Sequence, residues 1–492
     1  MIMNHTAART LYSSLVLVLT VAGCNDERLR ELGYTIAQPA QPSPPDPGAV
    51  DEDLDGDCEG LAPEGLISAD AITRAVAADV AAAPGDARPF LRYASVANAL
   101  NAGRCASIAG GARGALAKLL NGVSREPVLV RPAAVDEGDS PTLLRIDLRD
   151  YGLAREISLG GEAHQDGWEA IVASSPYAIA LGGADGAFLA AETGTATPWL
   201  SVDAIVQAVA EAPLYYALAG VPPTLGELRQ QVGLPAVLDP FRDGLPRAAT
   251  SRSRVLRAQG NLRTIDRYAT ADGTYWEALQ IETTTLLADP LHAQPDAQRL
   301  ISFNLPNGLL AFAVTDARGD RQAAAELLLD TNLDDFQGTV LISCTNCHAQ
   351  GLIPVNDELR DAVLPNPDLF ADDVVDAYSS GPDAEERFAR FQVDAERHLD
   401  ALEGVGVPSS GSDPISQTFL DAAQELDANV AAADLLVSPE TLRARLSALP
   451  PELLPLGLGL RVSRAQFGAV YARAFCTLHA ADANPPAAPS CE

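Results

Sequence analysis

Positively charged residues are scarce in this 492-residue chain. It has 34 lysine and arginine residues against 66 acidic residues, and its formal net charge is −32. Lys118 is its single lysine. A surface with this balance repels the phosphates of nucleic acids and the head groups of anionic lipids. We therefore expect a protein that does not bind nucleic acid and does not dock on membranes through its charge.

The chain also lacks an apolar run long enough to span a bilayer. The apolar stretch at residues 10–22, preceded by Arg9, is shorter than the roughly 20 residues of a membrane-spanning helix and has the layout of a signal peptide. It ends in Val21-Ala22-Gly23-Cys24, which resembles the lipobox of bacterial lipoproteins. The resemblance implies a lipoprotein signal peptide at residues 1–23, cleavage before Cys24 and acylation of its sulfur.

These features predict an exported protein that a lipid at Cys24 anchors to a cell membrane. Asn25 follows the cysteine, where some inner-membrane lipoproteins carry aspartate. The outer membrane is therefore favoured, with the protein facing the periplasm or the cell surface. A soluble exported protein is the alternative.

The remaining segments predict a mainly α protein with small β-hairpin and strand elements, an α+β fold. A Pro-rich and acidic tether is expected at residues 24–62, and a mostly helical domain with short strands at residues 63–235. A β-rich connecting region follows at residues 236–330, a helical region at 331–480 and a tail at 481–492. Strands are predicted at residues 127–131, 142–148, 274–281, 300–305 and 309–314, with a hairpin turn at Pro306-Asn307-Gly308.

Residues 344–348 carry the clearest chemical signal. They read Cys344-Thr345-Asn346-Cys347-His348, a C-x-x-C-H motif. Two thiols three residues apart on a helical turn can form thioethers to the two vinyl groups of one haem, and the adjacent histidine can bind its iron. Since c-type haem is attached outside the cytoplasm, the export signal favours this interpretation.

Half of a zinc site and a thioredoxin-like redox pair are the competing interpretations of the motif. Zinc usually takes four protein ligands in a structural site, and no second cysteine pair with this spacing occurs in the sequence. A redox pair does not need the histidine, and it usually opens a helix after a strand.

The stretches around the motif resemble an uncharacterised family of large exported bacterial proteins with one c-type haem motif. The resemblance implies a cytochrome c-like region at residues 331–480 and one covalent haem c, held by Cys344, Cys347 and His348. It implies no substrate. The resembling stretches are Leu305-Pro-Asn-Gly-Leu-Leu-Ala-Phe312, residues 343–354, Asp413-Pro-Ile-Ser416 and Ala422-Ala-Gln-Glu-Leu426, with residues 116–124, 144–149 and 273–276 upstream.

Methionine is nearly absent, and this limits the second axial ligand of such a haem. Met1 and Met3 are the only methionines, and both precede the predicted cleavage site. The mature chain therefore cannot supply the methionine that usually accompanies histidine in high-potential cytochromes.

His398 is the leading candidate for that second ligand. It lies 50 residues after His348, and shares an apolar helical stripe with Phe391, Ala395 and Leu402. A histidine at the edge of an amphipathic helix, without a role at the iron, is the alternative. His479 is a weaker candidate, and His164 and His292 are expected at the surface.

Four further cysteines suggest two disulfides in an oxidising compartment. Three connectivities are open, and unpaired thiols are the alternative. Nearest-neighbour pairing would join Cys58 with Cys105 and Cys476 with Cys491.

Asp51, Asp53 and Asp55, followed by Gly56, have the spacing of a calcium loop. Ala62 stands where an EF-hand supplies its bidentate glutamate. A solvated acidic linker is therefore the stronger interpretation of this segment.

Electron transfer through a single haem, with a redox partner protein, is the function that these features favour. A haem enzyme or a gas or peroxide sensor with an open sixth iron position is the alternative, and so is a binding or scaffold lipoprotein with a structural haem. Residues 90–330 contain no G-x-S-x-G, H-E-x-x-H or phosphate-loop motif. These residues therefore show no catalytic constellation, and in the scaffold alternative they recognise another molecule.

Overall fold

The computed structural model describes residues 65–104, 106–135, 142–239, 245–251, 261–295, 298–324, 339–353 and 355–491. Cys24, the calcium-loop residues Asp51, Asp53 and Asp55, and both Cys58 and Cys105 lie outside the described residues, as do the signal peptide and the tether. Within these ranges the fold is mixed α+β, which confirms the predicted class. None of the helices in them combines the length and apolar character needed to cross a membrane.

The described strands all lie before residue 316, among helices, and only helices follow them. The α-helices are α1 Ala69–Ala82, α2 Ala97–Asn101, α3 Ala106–Gly122, α4 Gly167–Ser174, α5 Gly183–Thr193, α6 Val202–Ala210, α7 Ala212–Ala219, α8 Leu225–Gln231, α9 Thr283–Ala288, α10 Val340–Cys347, α11 Glu358–Val363, α12 Asp372–Ser380, α13 Ala384–Gly404, α14 Pro414–Ala423, α15 Ala428–Asp434, α16 Pro439–Arg445, α17 Leu454–Gly457 and α18 Arg464–His479. The strands are β1 Leu91–Ser95, β2 Ala133–Ala134, β3 Leu143–Asp147, β4 Ile157–Leu159, β5 Glu162–His164, β6 Trp199–Ser201, β7 Ala248–Thr250, β8 Asn261–Thr270, β9 Gly273–Glu282, β10 Arg299–Asn304 and β11 Leu310–Thr315.

The strands form a four-stranded sheet, a five-stranded sheet and a two-stranded hairpin. The first has the order β2-β3-β1-β6, in which β1 pairs antiparallel with β3 and parallel with β6. The second is antiparallel throughout, with the order β11-β10-β9-β8-β7. The predicted hairpin is confirmed, since Asn304 pairs with Leu310 and Gly308 takes a φ of +91° at the turn. The strand predicted at residues 127–131 is wrong, because that segment is irregular.

One face of the five-stranded sheet carries Arg263, Arg267, Trp276, Gln280 and Phe312, and we call it the site face. Arg263 lies opposite Gln280 and Arg267 opposite Trp276, and residues that pair directly across strands point to the same face. Phe312 joins them through its pairing with Ser302, which in turn lies opposite Trp276.

Helix α13 covers the site face. Its Asp394 forms an ion pair with Arg267 at 2.8 Å, and its Phe391 ring lies 4.6 Å from the Trp276 ring. Residues of α11 and α12 pack against the opposite face, where Leu262 and Leu279 are buried. The sheet is therefore enclosed between two helical layers, and polar groups on the site face are shielded from water.

The edge strand β11 turns its outward N–H groups to side chains of other elements. The amide of Leu310 donates to Nδ1 of His398 at 3.3 Å, and the amide of Phe312 donates to the Tyr215 hydroxyl at 2.9 Å. Val314 donates in the same way to Tyr216. These contacts satisfy backbone donors that an uncovered edge would expose, and they fix His398 beside the hairpin.

Two glycines allow α13 to approach its neighbours closely. A Cβ on Gly308, in the hairpin turn, would lie 3.3 Å from Cβ of Ala401, and a Cβ on Gly351, after the C-x-x-C-H motif, would lie 3.1 Å from Cα of Ala395. Both glycines have a positive φ, which side chains rarely adopt. The hairpin and the motif therefore meet α13 on either side of His398.

The largest apolar cluster draws on residues from all three large predicted segments. Leu116 of the first, Phe303 of the second and Leu341 of the third belong to it, and each is at least nine-tenths buried. Helix α10 thus begins inside a core to which described residues of all three segments contribute, and this core supports the motif.

Candidate functional site

The C-x-x-C-H motif closes helix α10. Cys347 is the last helical residue, and His348 is the C-terminal cap. Cys344 is buried at 8 % exposure, whereas Cys347 is exposed, and both are thiols in this structure. Burial raises the pKa of the Cys344 thiol, and the neighbouring Cys347 raises it further.

This placement does not suit a thioredoxin-like redox pair. Reactive cysteines of that type have a lowered pKa, which the positive N-terminal end of a helix helps to produce. Here the two thiols lie at the C-terminal end of α10, and the pKa of Cys344 is raised. The redox-pair interpretation therefore loses its physical basis.

One ring nitrogen of His348 is held by the backbone. Its Nδ1 lies 3.1 Å from the carbonyl oxygen of Gly351, whereas Nε2 forms no hydrogen bond with any residue that the structure describes. Burial lowers the pKa of His348, and the positive charge of Arg263 lowers it further. The imidazole is therefore neutral at pH 7, and a proton on Nδ1 leaves Nε2 with its lone pair.

The site face of the five-stranded sheet packs beside the C-x-x-C-H motif. The Phe312 ring stacks on the His348 ring, with 5.8 Å between the ring centroids. Arg263 interacts electrostatically with both Cys344 and His348. A strand pair, the end of α10 and α13 thus converge at one place.

His398 lies in this same place, as its apolar stripe predicts, and it is 2 % exposed. Its Nδ1 accepts the hydrogen bond from Leu310, so the proton of the neutral ring sits on Nε2, which has no hydrogen-bond partner. Burial lowers the pKa of His398 to about 3, with contributions from Lys118 and His348. His398 is therefore a neutral imidazole that presents an unpartnered N–H.

In the described part of the chain, four buried polar atoms on the site face and at His398 of α13 have no hydrogen-bond partner. They are Nη1 of Arg263, Oε1 of Gln280, Nε1 of Trp276 and Nε2 of His398. The first three belong to the site face, and the fourth belongs to the helix that covers it. Unpaired buried polar atoms are costly, at about 1–3 kcal/mol each, so these four are the atoms that a polar ligand at this site could satisfy.

A polar clamp holds α10 from the side of α14. The Ser416 hydroxyl donates to the carbonyl of Ile342 at 3.2 Å and lies 3.1 Å from the Thr345 hydroxyl, inside the motif. Asp413 caps α14 by accepting from the amide of Ser416 at 2.9 Å, and it forms a buried ion pair with Lys118. The stretches 116–124, 343–354 and 413–416 therefore meet in three dimensions.

Sequence reasoning missed Lys118, Asp413 and Arg263 as residues of this site. Lys118 did carry a signal, because it is the single lysine of the chain. Asp413 can be recognised in the sequence as a helix N-cap before Pro414, but its ion-pair partner, Lys118, is 295 residues away. For Arg263 nothing in the sequence indicates burial.

We expect Lys118→Met to lower the free energy of unfolding by about 3–5 kcal/mol, because it leaves Asp413 as a buried charge without its cation. The two side chains are 6 % and 0 % exposed. Arg74→Met is the matched control, since the Arg74–Asp70 pair has an arginine side chain that is 60 % exposed and pairs of this kind contribute about 0.5 kcal/mol. Urea denaturation followed by circular dichroism measures both, and equal effects of the two variants would contradict the prediction.

The other histidines differ from His348 and His398. His479 uses both ring nitrogens, with Nδ1 2.7 Å from Asp482 and Nε2 2.8 Å from the carbonyl of Leu435. It has no nitrogen left for a metal in this conformation. His292 is exposed as expected, but His164 is buried at 9 % exposure, because it belongs to the β4–β5 hairpin rather than to a loop.

The predicted disulfide between Cys476 and Cys491 is confirmed. It ties the C-terminal tail to α18. The other predicted pair, Cys58 with Cys105, lies outside the described residues and stays a prediction.

Comparison with known proteins gives no relative for this chain. No family model, no curated protein and no solved structure matches it. Among the described residues, no group of three or more histidine, cysteine, aspartate and glutamate side chains could hold a metal ion.

Proposed function

We propose that this protein binds one haem c covalently through Cys344 and Cys347, with Nε2 of His348 as an axial ligand of the iron, and that it transfers electrons. Bound haem supplies a one-electron ferric–ferrous couple. In this proposal the helices within residues 331–480 form the cytochrome c-like region, and the β10–β11 hairpin places Phe312 beside His348.

His348 carries this proposal. Histidines that bind metals almost always donate their second ring N–H to a carbonyl or carboxylate, which fixes the tautomer. The contact between Nδ1 of His348 and the carbonyl of Gly351 has this form. Its lowered pKa keeps the ring neutral, as a ligand must be.

The surroundings of the motif fit a haem in chemistry. Phe312 offers an aromatic face beside His348, and the largest apolar cluster includes Cys344 and Phe312. The unpartnered N–H groups of Arg263 and Trp276 offer hydrogen-bond donors on the same site face. A haem has this combination, since its ring is apolar and its two propionates are charged.

Electron transfer requires a strong sixth ligand, and we propose His398 for that position. It is buried, neutral and electrostatically coupled to His348. Binding iron through Nε2 would move its proton to Nδ1 and end the hydrogen bond from Leu310. Leaving that amide unpaired costs about 1–3 kcal/mol, which the bond to iron would have to exceed.

The hydrogen bond from Leu310 also favours a second candidate function. If it persists, His398 keeps its proton on Nε2 and faces the site as a donor rather than as a ligand. The protein would then have an open sixth position with a hydrogen-bond donor beside it, as a haem enzyme or a sensor of peroxide or a gas requires.

A pyridine haemochrome assay on the full-length protein, produced with a c-type maturation system, tests the haem proposal. We propose that it gives the spectrum of a haem with two thioethers at one haem per chain. A purified protein without haem after maturation would overturn the proposed function.

We also propose an exported lipoprotein, anchored through Cys24, that meets a redox partner at the membrane. Cys24→Ala should move the protein from the membrane fraction to the soluble fraction, because the anchor is lost and a chain with a net charge of −32 gains nothing from anionic lipid. Fractionation and N-terminal sequencing measure this. Asn25→Asp is the control, which should keep membrane attachment; retention of Cys24→Ala in membranes would contradict the prediction.

A further inference from the structure

Arg263 is a deeply buried cation that no carboxylate of the described residues pairs with. It is 6 % exposed, its Nη1 has no hydrogen-bond partner, and no ion pair joins it to a described residue. Burial lowers the pKa of its guanidinium to about 10, which still leaves it protonated at neutral pH. A buried charge of this kind is strongly unfavourable unless something pairs with it.

The other buried arginines of the described residues show how this protein treats such charges. Each has a carboxylate: Arg92 lies 2.8 Å from Asp166, Arg247 lies 2.8 Å from Asp266, Arg387 lies 3.3 Å from Asp357, and Arg299 lies 3.9 Å from Glu277. Arg263 alone among these five lacks one. The described residues supply no such partner for Arg263, so its guanidinium is available to an anion that enters the site.

The position of Arg263 identifies where this anion lies. Arg263 belongs to the site face, on which Phe312 stacks its ring on His348 at 5.8 Å. Its charge also acts on Cys344 and His348, two of the three proposed haem-attachment residues. Gln280 lies directly opposite on β9, and its unpartnered atom, Oε1, is an acceptor that cannot bond to an anion. A carboxylate placed here would therefore be held by the Arg263 guanidinium.

We propose that Arg263 binds a haem propionate and thereby sets the orientation and the midpoint potential of the haem. This inference rests on the proposed haem function. Arginine suits the task because its planar guanidinium can donate two parallel hydrogen bonds to one carboxylate. Its positive charge, held in a shielded site, favours the ferrous over the ferric iron, so Arg263 is a positioning residue that raises the potential.

Redox titration of the full-length holoprotein from pH 5 to pH 9 tests this role. Arg263→Gln should lower the midpoint potential and make it depend on pH, because the propionate loses its cation and takes up a proton in this range. Arg263→Lys should restore most of the potential. Arg74→Gln, the same change of charge on the exposed side of α1, should leave the potential unchanged. Equal curves for Arg263→Gln and Arg74→Gln would overturn the inference.

Unfolding in urea provides a second readout that a merely structural arginine would not give. In a Cys344→Ser, Cys347→Ser background without haem, Arg263→Gln should raise the urea midpoint, because it removes an unpaired buried charge. In the holoprotein the same change should lower the midpoint. Shifts in one direction in both backgrounds would overturn the inference.

The source of the carboxylate is tested with acetate as the probe. If Arg263 instead binds a free carboxylate ligand, acetate should stabilise the haem-free background against urea, and Arg263→Gln should remove that stabilisation. In the holoprotein, Arg263→Gln should then leave the midpoint potential unchanged. This outcome would overturn the inference. No effect of acetate, together with the potential shift, supports the propionate. Absence of haem from the wild-type protein would refute the proposed function itself, whereas attached haem with an unchanged potential in Arg263→Gln refutes only the role of Arg263.

Discussion

Serine at both Cys344 and Cys347 is expected to abolish covalent haem completely. Each thioether needs a cysteine sulfur, and these two are the cysteines that the motif places one helical turn apart beside His348. Haem that remains in the double variant would be extracted by acidified acetone, whereas haem in the wild type would stay with the chain. Peroxidase staining after denaturing electrophoresis and the pyridine haemochrome spectrum measure the loss.

A second cysteine pair supplies the matched control. Replacing Cys476 and Cys491 by serine removes the same number of sulfurs at the disulfide between α18 and the tail, and it should leave one covalent haem per chain. Cys344→Ser alone should leave a single thioether at Cys347, which shifts the haemochrome band to longer wavelength. Covalent haem in the double Cys344, Cys347 variant would show that attachment does not use this motif.

The parts of the fold with a simple periodic signal could be predicted from the sequence. The hairpin with its Pro306-Asn307-Gly308 turn and the helix around His398 are both confirmed, the helix as α13. Both combine an apolar pattern with clear local ends, since Asp383 caps α13 and Gly308 turns the hairpin. The burial of His398 followed from the same helical stripe.

Strand β8 was missed because three of its five buried residues are charged or polar. Arg263, Thr264 and Asp266 are all at least nine-tenths buried, so the strand has no regular alternation of apolar and polar residues. Asp266 pairs with Arg247, and this contact exists only after β7 and β8 come together. Sequence patterns assume that charges face water, so they fail where charges are buried among partners.

The clamp around Lys118 could not be predicted for a related reason. Its partner Asp413 is distant in sequence, and no pattern in a single chain links them. Thr345 and Ser416 likewise meet only because α10 and α14 pack together. Local sequence signals identified the chemistry of Cys344, Cys347 and His348, whereas the tertiary fold supplies the residues that surround them.

The histidine at position 398 decides between the two candidate functions, and two substitutions separate its possible roles. His398→Asn keeps an oxygen near the place of Nδ1, so it can still accept from the amide of Leu310, but nothing reaches the place of Nε2. His398→Gln extends an amide to the place of Nε2, where it can donate a hydrogen bond, but it loses the acceptor for Leu310. Neither side chain replaces imidazole as a strong iron ligand.

If His398 is the sixth ligand, the wild-type ferric protein is low-spin and binds carbon monoxide and cyanide poorly. We expect this result, together with conversion to a high-spin iron that binds both ligands in His398→Asn and in His398→Gln alike. Optical and electron paramagnetic resonance spectra measure the spin state, and ligand titrations measure the affinities. Low-spin spectra that neither substitution changes would show that another group binds the iron.

A wild-type protein that is already high-spin and binds cyanide freely would support the second candidate function, a haem enzyme or sensor with an open sixth iron position. The two variants should then differ from each other, because only the donor at Nε2 matters to a ligand on the iron. His398→Asn should bind cyanide about tenfold more weakly than wild type, as expected for the loss of one hydrogen bond of about 1.5 kcal/mol. His398→Gln should retain most of the affinity, because its amide donates from the same place. Equal affinities in wild type and both variants would remove His398 from the site altogether, since neither coordination nor hydrogen bonding would then depend on it.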